Sequence, residues 1–114
     1  MSNKDTIEYV EDGGFRKYRD GKLHCDDGPA LFSPLADGAL IWFREGHKHK
    51  LDGPAAKWDD GTQEWWVEGC LHRIDGPAVV DPKGEHQWWI DGEEYDCLEW
   101  MLKVHELNNK CQNQ

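Results

Sequence analysis

Apolar and polar positions along the chain alternate in short stretches, and the pattern recurs every 23 to 25 residues. The segment HCDDGPA at His24 returns as HKLDGPA at His49 and as HRIDGPA at His72. A repeat of this length is one structural unit that must stack on its neighbours to bury its apolar surface. A glycine lies three residues before each histidine, and a fourth copy is followed by tyrosine instead: Gly21, Gly46, Gly69, and Gly92 with Tyr95.

Within one repeat the pattern predicts turn, strand, turn and strand. Residues 62–68 are rich in aromatic and β-branched side chains, which favour a strand, and 69–72 contain the glycine of a turn. Asp75-Gly76-Pro77 predicts a second bend before a short strand at 78–80. The sequence therefore predicts a mainly β protein: a single antiparallel β-meander or solenoid-like sheet of about four hairpin repeats.

The repeats end at Asp96, where the pattern changes to helical spacing. Asp96 followed by Glu99 is typical of a helix start, and Leu98, Met101 and Leu102 continue at helical intervals. We expect a C-terminal helix that caps the last repeat. The predicted single domain thus has a lead-in strand at 1–12, repeats at 13–95, a capping helix at 96–110 and a tail at 111–114.

Charge and composition exclude several classes of function. The chain has 23 acidic and 13 basic residues and a net charge of −10, so it lacks the basic surface that nucleic-acid binding needs. Residues 57–114 hold thirteen acids and five bases, against ten and eight in residues 1–56. No apolar run is long enough to span a membrane, and no secretory signal is evident, so we expect a cytoplasmic protein. In that compartment we expect free thiols at Cys25, Cys70, Cys97 and Cys111.

The combined motif W-x-x-x-G-x-x-H-x-x-D-G-P-A resembles the DGPA-repeat proteins that are common in bacteriophage genomes. It is similar to MORN repeats in period and in hairpin geometry, and the resemblance covers about residues 13–107. It implies a phage-encoded protein and supplies no catalytic residues. Arginine is the commoner residue after the histidine, as at Arg73, but this chain has Cys25 and Lys50 in the other two repeats. The first repeat also has an insertion at 31–36.

Strand alternation predicts two rows of aromatic residues on opposite faces of the sheet. We assign one row, Trp42, Trp65 and Trp88, to the core beneath the helix, together with Arg44, Val67 and Ile90. The opposite face is either a solvated face with aromatics packed on their neighbours or a recognition surface for a basic partner. On that face we place Tyr18, Phe43, Trp66 and Trp89, and with them the acids Asp20, Glu45, Glu68 and Asp91.

The repeated histidines His24, His49 and His72 each precede an aspartate by three residues. We interpret the aspartates as turn residues and the histidines as side chains that pack or hydrogen-bond between repeats. A metal site is a weaker interpretation, because a repeat places equivalent residues along a line and not around a point. Anion binding by the histidines with Lys48, Lys50 and Arg73 is a further alternative.

No catalytic motif is present: the chain has no G-x-S-x-G, no phosphate-binding glycine loop and no H-E-x-x-H. We therefore predict a non-catalytic binding module without cofactor or metal. The resemblance to phage DGPA-repeat proteins implies a phage-encoded inhibitor of a bacterial host defence protein. The alternatives are a sponge for a nucleotide immune signal and a structural or assembly protein, and a homodimer fits each of them. The predicted binding residues are Tyr18, Phe43, Trp66, Trp89, Glu45, Glu68, Asp91, His49, His72 and Arg73.

Overall fold

A computed structural model describes residues 4–112, with side chains described through residue 109. The chain is mainly β, with short strands and one C-terminal helix, as the sequence predicted. The strands are β1 Asp5–Tyr9, β2 Phe15–Arg19, β3 Lys22–Leu23, β4 Leu31–Ser33, β5 Ala39–Ile41, β6 Phe43–Arg44, β7 His47–Lys48, β8 Ala56–Lys57, β9 Gln63–Glu64, β10 Trp66–Val67, β11 Cys70–Leu71, β12 Val79–Val80, β13 Trp88–Ile90 and β14 Glu93–Tyr95; helix α1 is Cys97–Gln112.

One antiparallel sheet of eight strands connects most of the chain. Its order is β1-β2-β4-β5-β8-β9-β12, with β3 paired to β2. The remaining strands form three two-stranded hairpins, β6–β7, β10–β11 and β13–β14. Strand β1 is therefore at one end of the sheet, and the hairpins β6–β7, β10–β11 and β13–β14 follow one another along the chain.

The strand predicted over 62–68 is in fact two strands, β9 and β10, which meet at Trp65. The Trp65 N–H donates to the Ala78 carbonyl at 2.8 Å, and its carbonyl accepts from the His72 N–H at 3.0 Å. Strand β9 pairs with β8 and β12, whereas β10 pairs with β11. At Trp65 the chain thus passes from the large sheet into the hairpin β10–β11. Residues 62–68 therefore do not pair with a single neighbouring strand along their whole length.

The acidic residues placed on a strand face by the sequence lie in turns instead. Asp20, Glu45, Glu68 and Asp91 each have φ between 49° and 51°, and the glycine that follows each of them also has a positive φ. Two consecutive residues of this kind form the two-residue turn that matches the twist of a β-hairpin. The carboxylates therefore extend from the tips of successive hairpins, and we call these four residues the acidic turns.

Alanines, and not the aromatic residues, form most of the core. Ala30, Ala55 and Ala78, the last residues of the three DGPA segments, are fully buried. The described chain is a slab of 47 × 41 × 18 Å with a radius of gyration of 16.2 Å. A compact chain of this length has a radius of gyration near 13 Å. A slab this thin has little room for large side chains between its faces. The prediction of an aromatic core is therefore wrong for Trp42, Trp65 and Trp88, which are half-buried, and Arg44, also assigned to that core, is exposed.

Helix α1 begins after Asp96, whose carboxylate accepts a hydrogen bond from the Glu99 N–H at 2.8 Å. This cap holds the pKa of Asp96 below its usual value. The helix continues two residues beyond the predicted segment, to Gln112, and residues 113 and 114 of the predicted tail lie outside the described residues. It packs on β13 and β14, where Trp100 is buried against Trp88. No helix in residues 4–112 has the length and apolar character to cross a membrane.

Candidate binding surface on the hairpins

Three histidines join successive hairpins through the same hydrogen bond. Nδ1 of His24 accepts the Glu45 N–H at 3.0 Å, and Nδ1 of His49 accepts the Glu68 N–H at 2.9 Å. His72 does the same for Asp91 at 2.9 Å. Each imidazole therefore holds the backbone of the next acidic turn. This arrangement agrees with the interpretation of the histidines as contacts between repeats, and it commits their Nδ1 atoms to the fold.

His24 differs from the other two because it is buried. Its Nε2 lies 2.7 Å from the Asp26 carboxylate while its Nδ1 accepts a hydrogen bond from the Glu45 backbone N–H. A nitrogen that accepts a backbone N–H carries no proton, so Nε2 bears the hydrogen and donates to Asp26. This hydrogen bond, followed by that from Arg19, holds the pKa of Asp26 below its usual value.

The tryptophans of the first row are each covered by another side chain, and we call this set the covered row. Nζ of Lys50 lies 4.2 Å from the Trp42 ring centre, and the Arg73 guanidinium lies 3.8 Å from the Trp65 ring centre. A cation over an indole face is attracted by the ring quadrupole. Trp88, the last member, is covered instead by Trp100 of helix α1, and the two ring centres are 4.7 Å apart. The covered row is Trp42, Trp65 and Trp88.

Arg73 is held in place by further contacts. Its Nε donates to the Asp75 carboxylate at 2.8 Å, and Nη1 donates to the Pro77 carbonyl at 3.0 Å. The guanidinium thus joins its own DGP bend to the face of Trp65. In the next repeat Trp100 of helix α1 takes the equivalent place and donates from Nε1 to the Arg73 carbonyl at 3.0 Å. The predicted ligand-binding role of Arg73 would have to compete with these contacts.

The second row of aromatic residues lies on the other side of the hairpins, and we call it the open row. Phe43 and Trp66, from successive hairpins, line one groove of about 300 Å³ together with Lys48. Nζ of Lys48 lies 4.6 Å from the Trp66 ring centre. The hairpin register places an aliphatic or charged residue opposite each aromatic, namely Leu23, Lys48, Leu71 and Glu94. The members of the open row are Tyr18, Phe43, Trp66 and Trp89, all half-buried.

Hydrogen bonds fix the orientation of three members of the open row. Nε1 of Trp66 donates to Glu64 at 2.8 Å, and Nε1 of Trp89 donates to Gln87 at 2.9 Å. The Tyr18 hydroxyl donates to Glu8 at 3.2 Å; burial, and then this bond, raise the pKa of the phenol. Rings held in this way lose little conformational entropy when a partner contacts them.

The acidic turns lie beside the open row at the hairpin tips. Glu45 and Glu68 line one polar groove of about 400 Å³ with Arg44, His47 and His49. Among the described residues neither glutamate forms an ion pair within 4 Å. A glutamate with positive φ is strained relative to glycine or asparagine. These two positions therefore keep an exposed carboxylate at some cost to local stability.

A larger groove lies between the first two DGP bends, next to Phe43 of the open row, and the sequence did not predict it. It has a volume of about 870 Å³ and lies between residues 25–29 and residues 49–52, with Trp42 also in its lining. Its charged lining is Asp26, Asp27, Asp52, Arg44 and Lys50, of which Asp26 is already paired with Arg19. Opposite charges that alternate in this way do not favour an anion over a cation.

Other chemistry is limited in the part of the chain that the structure describes. Residues 4–109 contain no cluster of three His, Cys, Asp or Glu side chains placed to hold a metal ion. Cys25, Cys70 and Cys97 are free thiols, and the predicted thiol of Cys111 lies outside the described side chains. No protein family, curated protein or solved structure matches this chain.

Proposed function

We propose that the protein is a non-catalytic binding module whose open row and acidic turns contact a basic surface of another protein. The observation that carries this proposal is the contrast between the two aromatic rows. Every member of the covered row has a cation or a second ring over its face, whereas in the open row, among the described residues, only Trp66 has one, the Lys48 ammonium. Preset aromatic rings are common anchors of protein interfaces. Carboxylates beside them would select a cationic partner and accelerate its association.

We further propose that the repeats act as one solenoid-like unit of about four hairpins. Support comes from backbone hydrogen bonds that join each hairpin to the next at equivalent positions. The N–H groups of Gly46, Gly69 and Gly92 donate to Leu23, Lys48 and Leu71 at 2.8–2.9 Å. In such an array the open row would form one continuous strip.

The resemblance to phage DGPA repeats gives this binding module a biological setting. We propose that it acts in the cytoplasm of a bacterial host and inhibits a host protein, with defence proteins as the first candidates. The net charge of −10 favours a basic protein over nucleic acid as the partner.

The nucleotide sponge has less support. That function would use an aromatic ring to stack on a base while Lys50 or Arg73 holds a phosphate. Both cations instead lie over the rings of the covered row, at 4.2 and 3.8 Å. A nucleotide would have to displace them before it could stack.

The test begins with capture of a partner from bacterial lysate and identification of the complex by native mass spectrometry. The affinity of the purified partner is then measured for the wild type, Trp66→Ala and Trp89→Ala. We expect each variant to lose at least about tenfold in affinity, because an aromatic anchor contributes about 2 kcal/mol or more. Added salt should weaken the wild-type complex.

Trp58→Ala is the matched control, since Trp58 closes the turn between β8 and β9 of the large sheet and lines neither groove of the open row and acidic turns. Its affinity should equal that of the wild type once circular dichroism has shown that it folds. Equal affinities for all four proteins would refute the assignment of the surface. A bound mass of a few hundred daltons, released by both open-row variants, would favour the sponge instead.

A further inference from the structure

Strand β1 has an outer edge that no other segment of residues 4–112 covers. All five of its residues are exposed, and it pairs only with β2. On its inner side the Lys4 carbonyl accepts from the Asp20 N–H at 2.8 Å, and the Val10 N–H donates to Gly14 at 3.0 Å. Antiparallel strands alternate their hydrogen-bonding direction from residue to residue. The N–H and C=O groups of Asp5, Ile7 and Tyr9 therefore point away from the sheet.

The acids of this edge are already paired within the chain. Asp5 accepts two hydrogen bonds from the Arg19 guanidinium, at 2.7 and 3.0 Å. Glu8 accepts the Tyr18 hydroxyl at 3.2 Å. Unpaired charges normally protect a sheet edge from pairing with another strand. Here Asp5 and Glu8 are both bonded to side chains of β2. The most exposed apolar groups of the edge are Ile7, 51% exposed, and Tyr9, 78% exposed.

We propose that this edge pairs with β1 of a second copy of the chain, antiparallel and with the two Ile7 residues opposite each other. In this register Asp5 of each copy faces Tyr9 of the other, and Thr6 faces Glu8. No two like charges are directly opposite. The outward groups of Asp5, Ile7 and Tyr9 then supply about six backbone hydrogen bonds.

The distribution of charge favours this end of the molecule for self-association. Residues 4–19 contain four acids and four bases, whereas residues 57–114 contain thirteen acids and five bases. Joining the two β1 edges keeps the acidic halves far apart and minimises repulsion. A rival apolar surface, Leu98, Met101 and Leu102 on helix α1, lies in the acidic half, where two copies would repel each other.

The proposed pairing has a geometric consequence for the open row but does not rest on the proposed function. The two-fold axis of this antiparallel pairing is perpendicular to the sheet, so the same face of both copies lies on one side. Tyr18 is opposite Thr6 in the β1–β2 register, so the open rows of the two copies would continue across the junction. The dimer would thus present a strip twice as long to a partner.

The first test is the mass of the purified full chain by analytical ultracentrifugation. We expect the mass to double between about 1 and 300 µM protein. Ile7→Lys, which places a charge at the centre of the junction, should weaken the dimer at least about tenfold. Leu51→Lys is the matched control, because Leu51 is 77% exposed on a DGP bend, and it should leave the association unchanged.

The register is tested by crosslinking under mild oxidation, with peptide mapping to distinguish the new bond from native cysteines. Ile7→Cys should form a disulfide between copies, because Cα atoms in a hydrogen-bonded pair are about 5.5 Å apart. Thr6→Cys should not, since it faces Glu8 of the other copy. A monomer at every concentration would overturn the proposal, as would a dimer indifferent to Ile7→Lys. A monomer that loses a partner protein on Ile7→Lys would also overturn it and assign the edge to that partner.

Discussion

The two faces of the hairpins carry similar aromatic residues at adjacent positions of the chain, but the residues make different contacts. Trp65 lies beneath the Arg73 guanidinium, and its backbone joins the large sheet to the hairpin. Its neighbour Trp66 is held by a bond from its indole N–H to Glu64, and Lys48 approaches its ring. The comparison indicates that Trp65 is fixed by the DGP bend of its own repeat, whereas Trp66 is contacted from the preceding hairpin and Trp89 has no cation or second ring over it among the described residues.

At the end of the covered row, a residue of helix α1 replaces the cation that covers the other two tryptophans. Lys50 and Arg73 come from the DGP bend that follows each tryptophan, but the fourth repeat has no such bend. Trp100 of helix α1 covers Trp88 there. A terminal repeat needs a substitute for the missing neighbour, and this side chain supplies it.

The largest effect on stability is expected for Trp100→Ala. The substitution removes the ring packed on Trp88 and the hydrogen bond to the Arg73 carbonyl. We expect the free energy of unfolding in urea to fall by about 3–5 kcal/mol, as for other buried tryptophans. Met101→Ala on the exposed side of the same helix should change it by less than about 0.5 kcal/mol. Equal effects of the two would contradict the capping role.

A smaller loss is expected when the acceptor of an acidic turn is removed. His72→Phe keeps a ring of similar size but leaves the Asp91 N–H without its partner. The unfolding free energy should fall by about 1–3 kcal/mol. His86→Phe is the control, because His86 is exposed and makes no side-chain hydrogen bond in residues 4–112. If both variants unfold at the wild-type urea concentration, the histidines do not join the repeats.

The cation over the covered row is tested by Arg73→Met, which keeps an unbranched side chain and removes the charge and its hydrogen bonds. We expect a loss of about 1–2 kcal/mol in the same urea assay. Lys83→Met in an exposed turn provides the comparison and should be neutral within about 0.5 kcal/mol. An unchanged stability of Arg73→Met would mean that the covered row needs no cation.

The smallest effect concerns pH and the Arg19 cluster at the β1 end. Hydrogen bonds from Arg19 hold the pKa of Asp5 below its usual 3.8, and those from His24 and Arg19 do so for Asp26. A lowered carboxyl pKa stabilises the fold above the unfolded value and loses that effect as the pH falls through the folded value.

The measurement for this cluster is the melting temperature of the wild type and of Arg19→Gln between neutral pH and acid. The wild type should melt higher at neutral pH, and the gap should narrow as the pH falls below about 4. A gap that is the same at both ends of the range would exclude the carboxylates as its source.

The sequence was sufficient to predict the mainly β chain, the hairpin turns and the helix after Asp96, because these depend on local patterns of glycine, aromatic and capping residues. It did not predict the break at Trp65, since alternation along a strand does not reveal a change of partner. The burial of Ala30, Ala55 and Ala78 was also missed, because a small side chain becomes core only where two backbones approach closely. A glycine follows each of the four acids and indicates a turn there. The assignment of the acids to a strand face did not take these glycines into account.

The most direct test of the two-face account compares Trp65→Ala with Trp66→Ala in two measurements, urea unfolding and affinity for the captured partner. Trp65→Ala should lower the unfolding free energy by about 2–4 kcal/mol, because it loses the Arg73 contact and packing at the junction. Trp66→Ala should lower it by no more than about 1 kcal/mol and weaken partner binding at least about tenfold. A Trp66→Ala protein that binds like the wild type would contradict the account.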